Sequence, residues 1–122
     1  MNEDNKKKSL DYTEKWMGQS FARSGNYFFF MLPDELYEIA MEEYGDYLEE
    51  DWDFDNLIPV ACVQEDYDDQ EEQDSGHTDY WVFIDWSEDS NKPLVIVTGT
   101  DTWEDDEMVF DSIEELLNTS LY

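Results

Sequence analysis

Apolar positions change period several times along this chain, and each change predicts an element. "LPDELYEIAMEEYGDYLEED" places Leu36, Ile39, Ala40, Tyr44, Tyr47 and Leu48 at helical spacing, so a helix is expected to begin at Pro33. Asp34 and Glu35 fall in its first turn, where they favour the helix dipole, and Gly45 weakens its middle by ~1 kcal/mol. "DYWVFIDW" (79–86) alternates instead: Trp81, Phe83 and Asp85 on one side, Tyr80, Val82, Ile84 and Trp86 on the other. That period of two reads as a strand. "LVIVTG" (94–99) is the next strand, antiparallel to it by the short connection, and "EMVF" a further short one. "NYFFFM" (26–31) is an aromatic strand, and "LIPVACV" (57–63) a strand at an edge or starting after Pro59.

The ends are less regular. Residues 1–9 read as a mobile basic tail. In 10–25, Leu10, Trp16, Met17 and Phe21 line a short helix ended near Gly25. "DSIEELLNT" closes the chain as a helix capped by Asp111. The expected fold is α+β, a single domain over 10–122, with an antiparallel sheet of about four strands packed against two or three helices.

Charge changes this picture more than composition does. The chain has 122 residues with 34 acids and six Lys or Arg, a net charge of −28. Residues 1–23 hold five bases and four acids, or +1; residues 24–122 hold thirty acids and Lys92, or −29. Solubility needs a net charge of only about 2–8. Self-repulsion of the larger size opposes compaction. An acidic chain that folds must bury apolar area, and eight Tyr, seven Phe and five Trp supply it. Direct binding to nucleic acid or an anionic membrane is excluded on charge. The first residues have no apolar core of a secretion signal, which makes the cytoplasm the expected compartment, with the chain a monomer.

Catalytic chemistry finds little to stand on. His77 lies in the acidic loop 64–79, away from any nucleophile elbow, and Cys62 sits in an apolar run as a buried thiol. These two are too few soft ligands for zinc. "DWDFDN" spaces Asp51, Asp53 and Asp55 like the start of a calcium loop, but Asn56 and Cys62 stand where glycine and glutamate are required. Neither a cofactor nor an enzymatic activity is expected.

The carboxylates themselves are the candidate site. Along the 33–50 helix Glu35, Glu38, Glu42, Asp46 and Glu49 recur every three or four residues, a column with one carboxylate per ~5 Å. Each DNA strand shows a phosphate per ~3.4 Å of axis. Two clusters extend the column: Glu65, Asp66, Asp68, Asp69, Glu71, Glu72 and Asp74 in the loop, and Glu104, Asp105, Asp106 and Glu107 before the last strand. Tyr67 and Trp103 stand among them as aromatic anchors. The partner these imply is a basic nucleic-acid-binding protein or a toxin.

In overall character the chain resembles the bacterial and phage DNA-mimic proteins, which are small, acidic and rich in aromatics. That resemblance implies a decoy that occupies the basic groove of a DNA-binding protein. In its order of blocks the chain is similar to the SUKH superfamily, many of whose members are immunity proteins against secreted toxins. The matching positions are Leu32 and Pro33, Ile58 and Pro59, Asp85, Pro93 and Val95, then Ser112, Leu116 and Leu117. The acidic loop 64–79 replaces the glycine-rich turn of that family, and the aromatic strand 26–31 precedes its first block. This second resemblance implies an inhibitor of a toxin, for instance a nuclease.

Overall fold

A computed structural model of the chain describes residues 1–48, 53–69, 71–72, 78–87, 92–99 and 107–122. Six strands form one sheet in chain order: β1 (Ser20–Arg23), β2 (Asn26–Phe30), β3 (Leu57–Glu65), β4 (Tyr80–Asp85), β5 (Leu94–Gly99) and β6 (Met108–Phe110). Every neighbouring pair is antiparallel. Helices α1 (Glu3–Tyr12), α2 (Pro33–Leu48) and α3 (Ile113–Leu117) accompany the sheet among the described residues. The α+β class and the antiparallel sheet are as expected from the sequence. The sheet has six strands instead of about four: the five runs that read as strands all pair, and β1 forms where a helix was expected.

The alternation in β4 is explained by two different layers. Val82, Ile84 and Trp86 join Phe28, Phe30, Val95 and Val97 beneath Ile113, Leu116 and Leu117 of α3, with Tyr12 of α1 packed beside them. Trp81 and Phe83 face the opposite way, with Cys62 and Ile96, under Leu36 and Ala40 of α2. Helices therefore cover both faces, which is why the central strands are apolar at successive positions. Burying Trp81, Phe83 and their neighbours supplies roughly 1.5–3 kcal/mol for each large side chain.

α2 starts as its sequence predicts. The amide of Leu36 donates to the carbonyl of Leu32 (3.1 Å), Pro33 occupies the first turn, and Leu36 and Ala40 are buried. α3 is capped one position later than expected: the hydroxyl of Ser112, not Asp111, accepts from the amide of Glu115 (3.1 Å), and the Glu115 carboxylate accepts from the amide of Asp111 (2.8 Å). β3 lies between β2 and β4, in the interior of the sheet and not at its edge. Its proline is accommodated by a bulge, a register shift between Pro59 and Ala61. The bulge spares the ladder a bond that proline cannot make.

The N-terminal segment departs furthest from expectation. Residues 1–9 are no tail: Glu3–Tyr12 is helical, with the Asn2 side chain accepting from the amide of Asn5. α1 docks through polar contacts. Trp86 Nε1 donates to Ser9 Oγ (2.7 Å), Asn5 Nδ2 donates to the carbonyl of Asp55 (2.7 Å), and Lys6 Nζ lies 3.2 Å from an Asp34 carboxylate oxygen. Lys8 sits over the Trp86 ring at 5.6 Å. β1 and β2 are joined by Ser24 (φ 57°) and Gly25 (φ 79°), a two-residue turn with both central residues left-handed. That turn twists in the sense a hairpin needs.

The C-terminal segment ties this hairpin down. Asn26, fully buried, donates to the carbonyl of Thr119 (2.7 Å) and accepts from the amide of Leu121 (3.0 Å). Arg23 donates to Asn118 Oδ1 (2.8 Å), and the Tyr122 hydroxyl donates to Asp79 (2.7 Å).

Candidate partner-binding surface

The helical face predicted to be acidic is acidic. Glu35, Glu38 and Glu42 are exposed on α2, on the side away from buried Leu36 and Ala40. Leu36 and Ala40 pack α2 onto the sheet, which turns these three outward. Asp46 belongs to the same helix, but its side chain, and Glu49 altogether, lie outside the described residues. The start of the face is partly compensated: Lys6 reaches Asp34 (3.2 Å) and Glu3 (2.9 Å), and these carboxylates raise the pKa of its ammonium group.

Strand register brings the described members of the two other acidic clusters, residues 65–69, 71–72 and 107, to one end of the sheet. Val63 pairs with Tyr80, Tyr80 with Gly99, and Val97 with Met108. The chain therefore leaves β3 at Glu65, leaves β5 at Gly99 and enters β6 after Glu107 at the same end. Glu65, Asp66, Asp68, Asp69, Glu71, Glu72 and Glu107 are all exposed there. Asp69 accepts from the amide of Glu71 (2.9 Å), which orders that turn, and Asp66 donates its amide to the carbonyl of Gly25 (3.1 Å). Tyr67 is half-buried among them. Asp74, Glu104, Asp105, Asp106, Trp103 and His77 lie outside the described residues. Nothing in the linear sequence announced that residues 65–72 and 107 would share an end; that follows from the meander and its register.

The residues considered for other chemistry have structural occupations. Asp53 accepts from the amides of Asp55 (3.1 Å) and Asn56 (3.3 Å) and from the Asn56 side chain (2.8 Å), so its carboxylate builds a turn before β3. Among the described residues no group of three His, Cys, Asp or Glu is arranged to hold a metal ion. Cys62 is buried, and burial, aided by the nearby charge of Glu43, pushes its thiol up to about 12. Such a thiol is neutral and unreactive near neutrality. Among the described residues no helix is long and apolar enough to cross a membrane.

Several bases are bound into the fold. Besides Lys6 and Lys8, Lys15 lies over the Trp16 ring at 5.5 Å and Arg23 is bonded to Asn118. Among the described residues, the exposed surface on α2 and at the loop end of the sheet is thus dominated by carboxylates. Leu32 and Pro33 open α2, and Ile58 and Pro59 lie in β3 at its bulge. Asp85 ends β4, Pro93 precedes β5 and Val95 lies in it, Ser112 caps α3, and Leu116 and Leu117 are buried in α3. No family model, no curated protein and no solved structure matches this chain.

Proposed function

We propose that the protein is a non-catalytic inhibitor that silences a basic, nucleic-acid-binding partner by covering its cationic surface. The observation that carries this reading is the gathering of exposed carboxylates on one helical face and one end of the sheet, on a frame both of whose faces are already covered by helices. Rigid like charges cost folding free energy, and that cost is recovered when an oppositely charged surface meets them. Association is then steered by the field, fast at low salt and steeply weakened by added salt.

The partner class we favour is a resident DNA-binding protein, for which this chain acts as a decoy; what supports this is the column on α2, whose ~5 Å pitch is of the order of the phosphate spacing. The second reading, immunity against a toxin in the manner of the SUKH proteins, rests on the order of the sequence blocks quoted above. Both readings share one binding surface and differ in what is bound.

The test is a pull-down from the native cell at low salt, followed by charge reversal. Glu35→Lys, Glu38→Lys and Glu42→Lys together are expected to weaken capture of the identified partner by about 100-fold or more. Reversing Lys7, Lys8 and Lys15 should change it by far less. Equal effects would remove α2 from the interface. Protection of cells from one co-encoded toxin supports immunity, whereas displacement of a resident DNA-binding protein by competing duplex supports mimicry.

A further inference from the structure

The longest stretch without a carboxylate in this acidic chain is residues 15–33. It encodes β1 and β2, one edge of the sheet. Burial accounts for the part within β2, where Asn26, Phe28 and Phe30 are enclosed. It does not account for β1, where Ser20, Ala22 and Arg23 are exposed.

Ladder alternation fixes which groups of β1 point outward. The two-residue turn makes Arg23–Asn26 the first hydrogen-bonded pair and Phe21–Phe28 the next, and Phe30 continues the series by donating to the Gln19 carbonyl (2.9 Å). Ser20 and Ala22 therefore direct their amides and carbonyls away from the sheet. Among the described residues neither backbone finds a partner. The edge also lacks what sheets use to block pairing: it has no proline, no bulge and no charge at its two outward residues.

We propose that β1 pairs with β1 of a second copy of this chain, antiparallel about a two-fold axis through Phe21, joining two sheets into one. The register is self-complementary. Ser20 of each copy meets Ala22 of the other as a hydrogen-bonded pair, which satisfies all the outward groups. Phe21, already stacked on Phe30 (5.8 Å), meets its own copy at the closer, non-hydrogen-bonded spacing of about 4.5 Å between Cα atoms. Arg23 falls opposite Gln19, so no like charges face each other across the strands. The other edge, β6, is unsuited to self-pairing because Glu107 and Asp111 flank it. A second copy is the occupant that fits, since a basic partner meets only Arg23 here and two copies find the one sheet edge free of carboxylates. Interface cores depleted in charge and enriched in aromatics have this composition. The inference stands apart from the proposed inhibition, which uses other residues, and it replaces the expectation of a monomer.

Sedimentation velocity over a concentration series, from micromolar to submillimolar, tests it. A species of twice the 14.6 kDa chain mass is expected. It should strengthen with salt, because salt screens the repulsion between copies; binding to a basic partner weakens instead. Ala22→Pro removes only an outward amide and Ala22→Asp adds a carboxylate at the edge, and each should restore the monomer mass. In the unaltered chain, the amides of Ser20 and Ala22 should exchange more slowly as concentration rises. A monomer mass throughout the series at high salt overturns the proposal. So does a dimer whose Ser20 and Ala22 amides show no added protection.

Discussion

Asn26 illustrates how much one buried polar side chain can organise. It is fully buried, yet both ends of its amide are bonded, to Thr119 and Leu121, so its burial carries no unsatisfied group. Asn26→Ala removes two bonds and leaves a carbonyl and an amide without partners. It should cost about 2–3 kcal/mol, read as a lower denaturant midpoint at unchanged slope. Cys62 gives a pH dependence. Burial raises its thiol from the 9.0 of an exposed cysteine to about 12 within the fold. The unfolded chain loses that proton first, so stability is fully present below about pH 9 and falls as pH rises toward 12. The loss is on the order of 3 kcal/mol across that window. Tyr12 and Tyr122 act in the same sense, both raised by burial, with the carboxylate of Asp79 adding to the effect on Tyr122. Denaturant titrations at pH 8 and 11 on the parent and Cys62→Ala check this. The decline should shrink in the variant, and an equal decline in both would assign it to the tyrosines.

Elements differ in how plainly the sequence signals them, and the reason is what holds each in place. α2 and β4 are held by apolar contacts, and apolar contacts leave a period in the sequence. α1 is held by the polar bonds of Ser9, Asn5 and Lys6, with Tyr12 packed edge-on to Trp86 at its end, so "EDNKKKSLDY" carries no apolar stripe and reads as a tail. β1 is a four-residue strand whose best signal was the dipeptide Ser24–Gly25, which serves equally as a helix end and as a hairpin turn; only pairing with β2 decides between them. Pro59 pointed to an edge strand because the bulge that accommodates it depends on β4. The column on α2 was legible as an acidic face. The shared end of residues 65–72 and 107 was not, since it depends on register between strands far apart in sequence. At this scale, capping and packing of α3 can be separated. Ser112→Ala should lower stability by about 1 kcal/mol, whereas Leu116→Ala, which empties space over the sheet, should lower it by about 2–5 kcal/mol. Thermal and chemical unfolding of the two variants read the difference.

Taken as one body, the molecule balances two opposed demands. Its apolar interior favours compaction, and a net charge of −28 opposes it. Added salt should therefore stabilise the isolated protein, raising Tm on the order of 5 °C between low and half-molar sodium chloride. The same salt should weaken any complex with a basic partner. These opposite responses distinguish charge held for binding from charge that is incidental: a protein whose Tm ignores salt has its anions too far apart to act as one surface. Calorimetry at several ionic strengths supplies the first half of the comparison and affinity measurements the second.

Shielding of the sheet on both sides has a further consequence for how such a protein can diversify. Strand faces and helix undersides are committed to one another, so a change there unsettles the whole. The turn that leaves β3 is fastened near its two ends, by the Asp66 amide on the Gly25 carbonyl and by Asp79 on Val63 and Tyr122. Grafting a different sequence of equal length between Asp66 and Thr78 would redirect whom the protein recognises while its interior, and the ties made by Asp66 and Asp79, stayed as they are. Variation among natural descendants of this scaffold would then collect at that rim, leaving the framework as the inherited part.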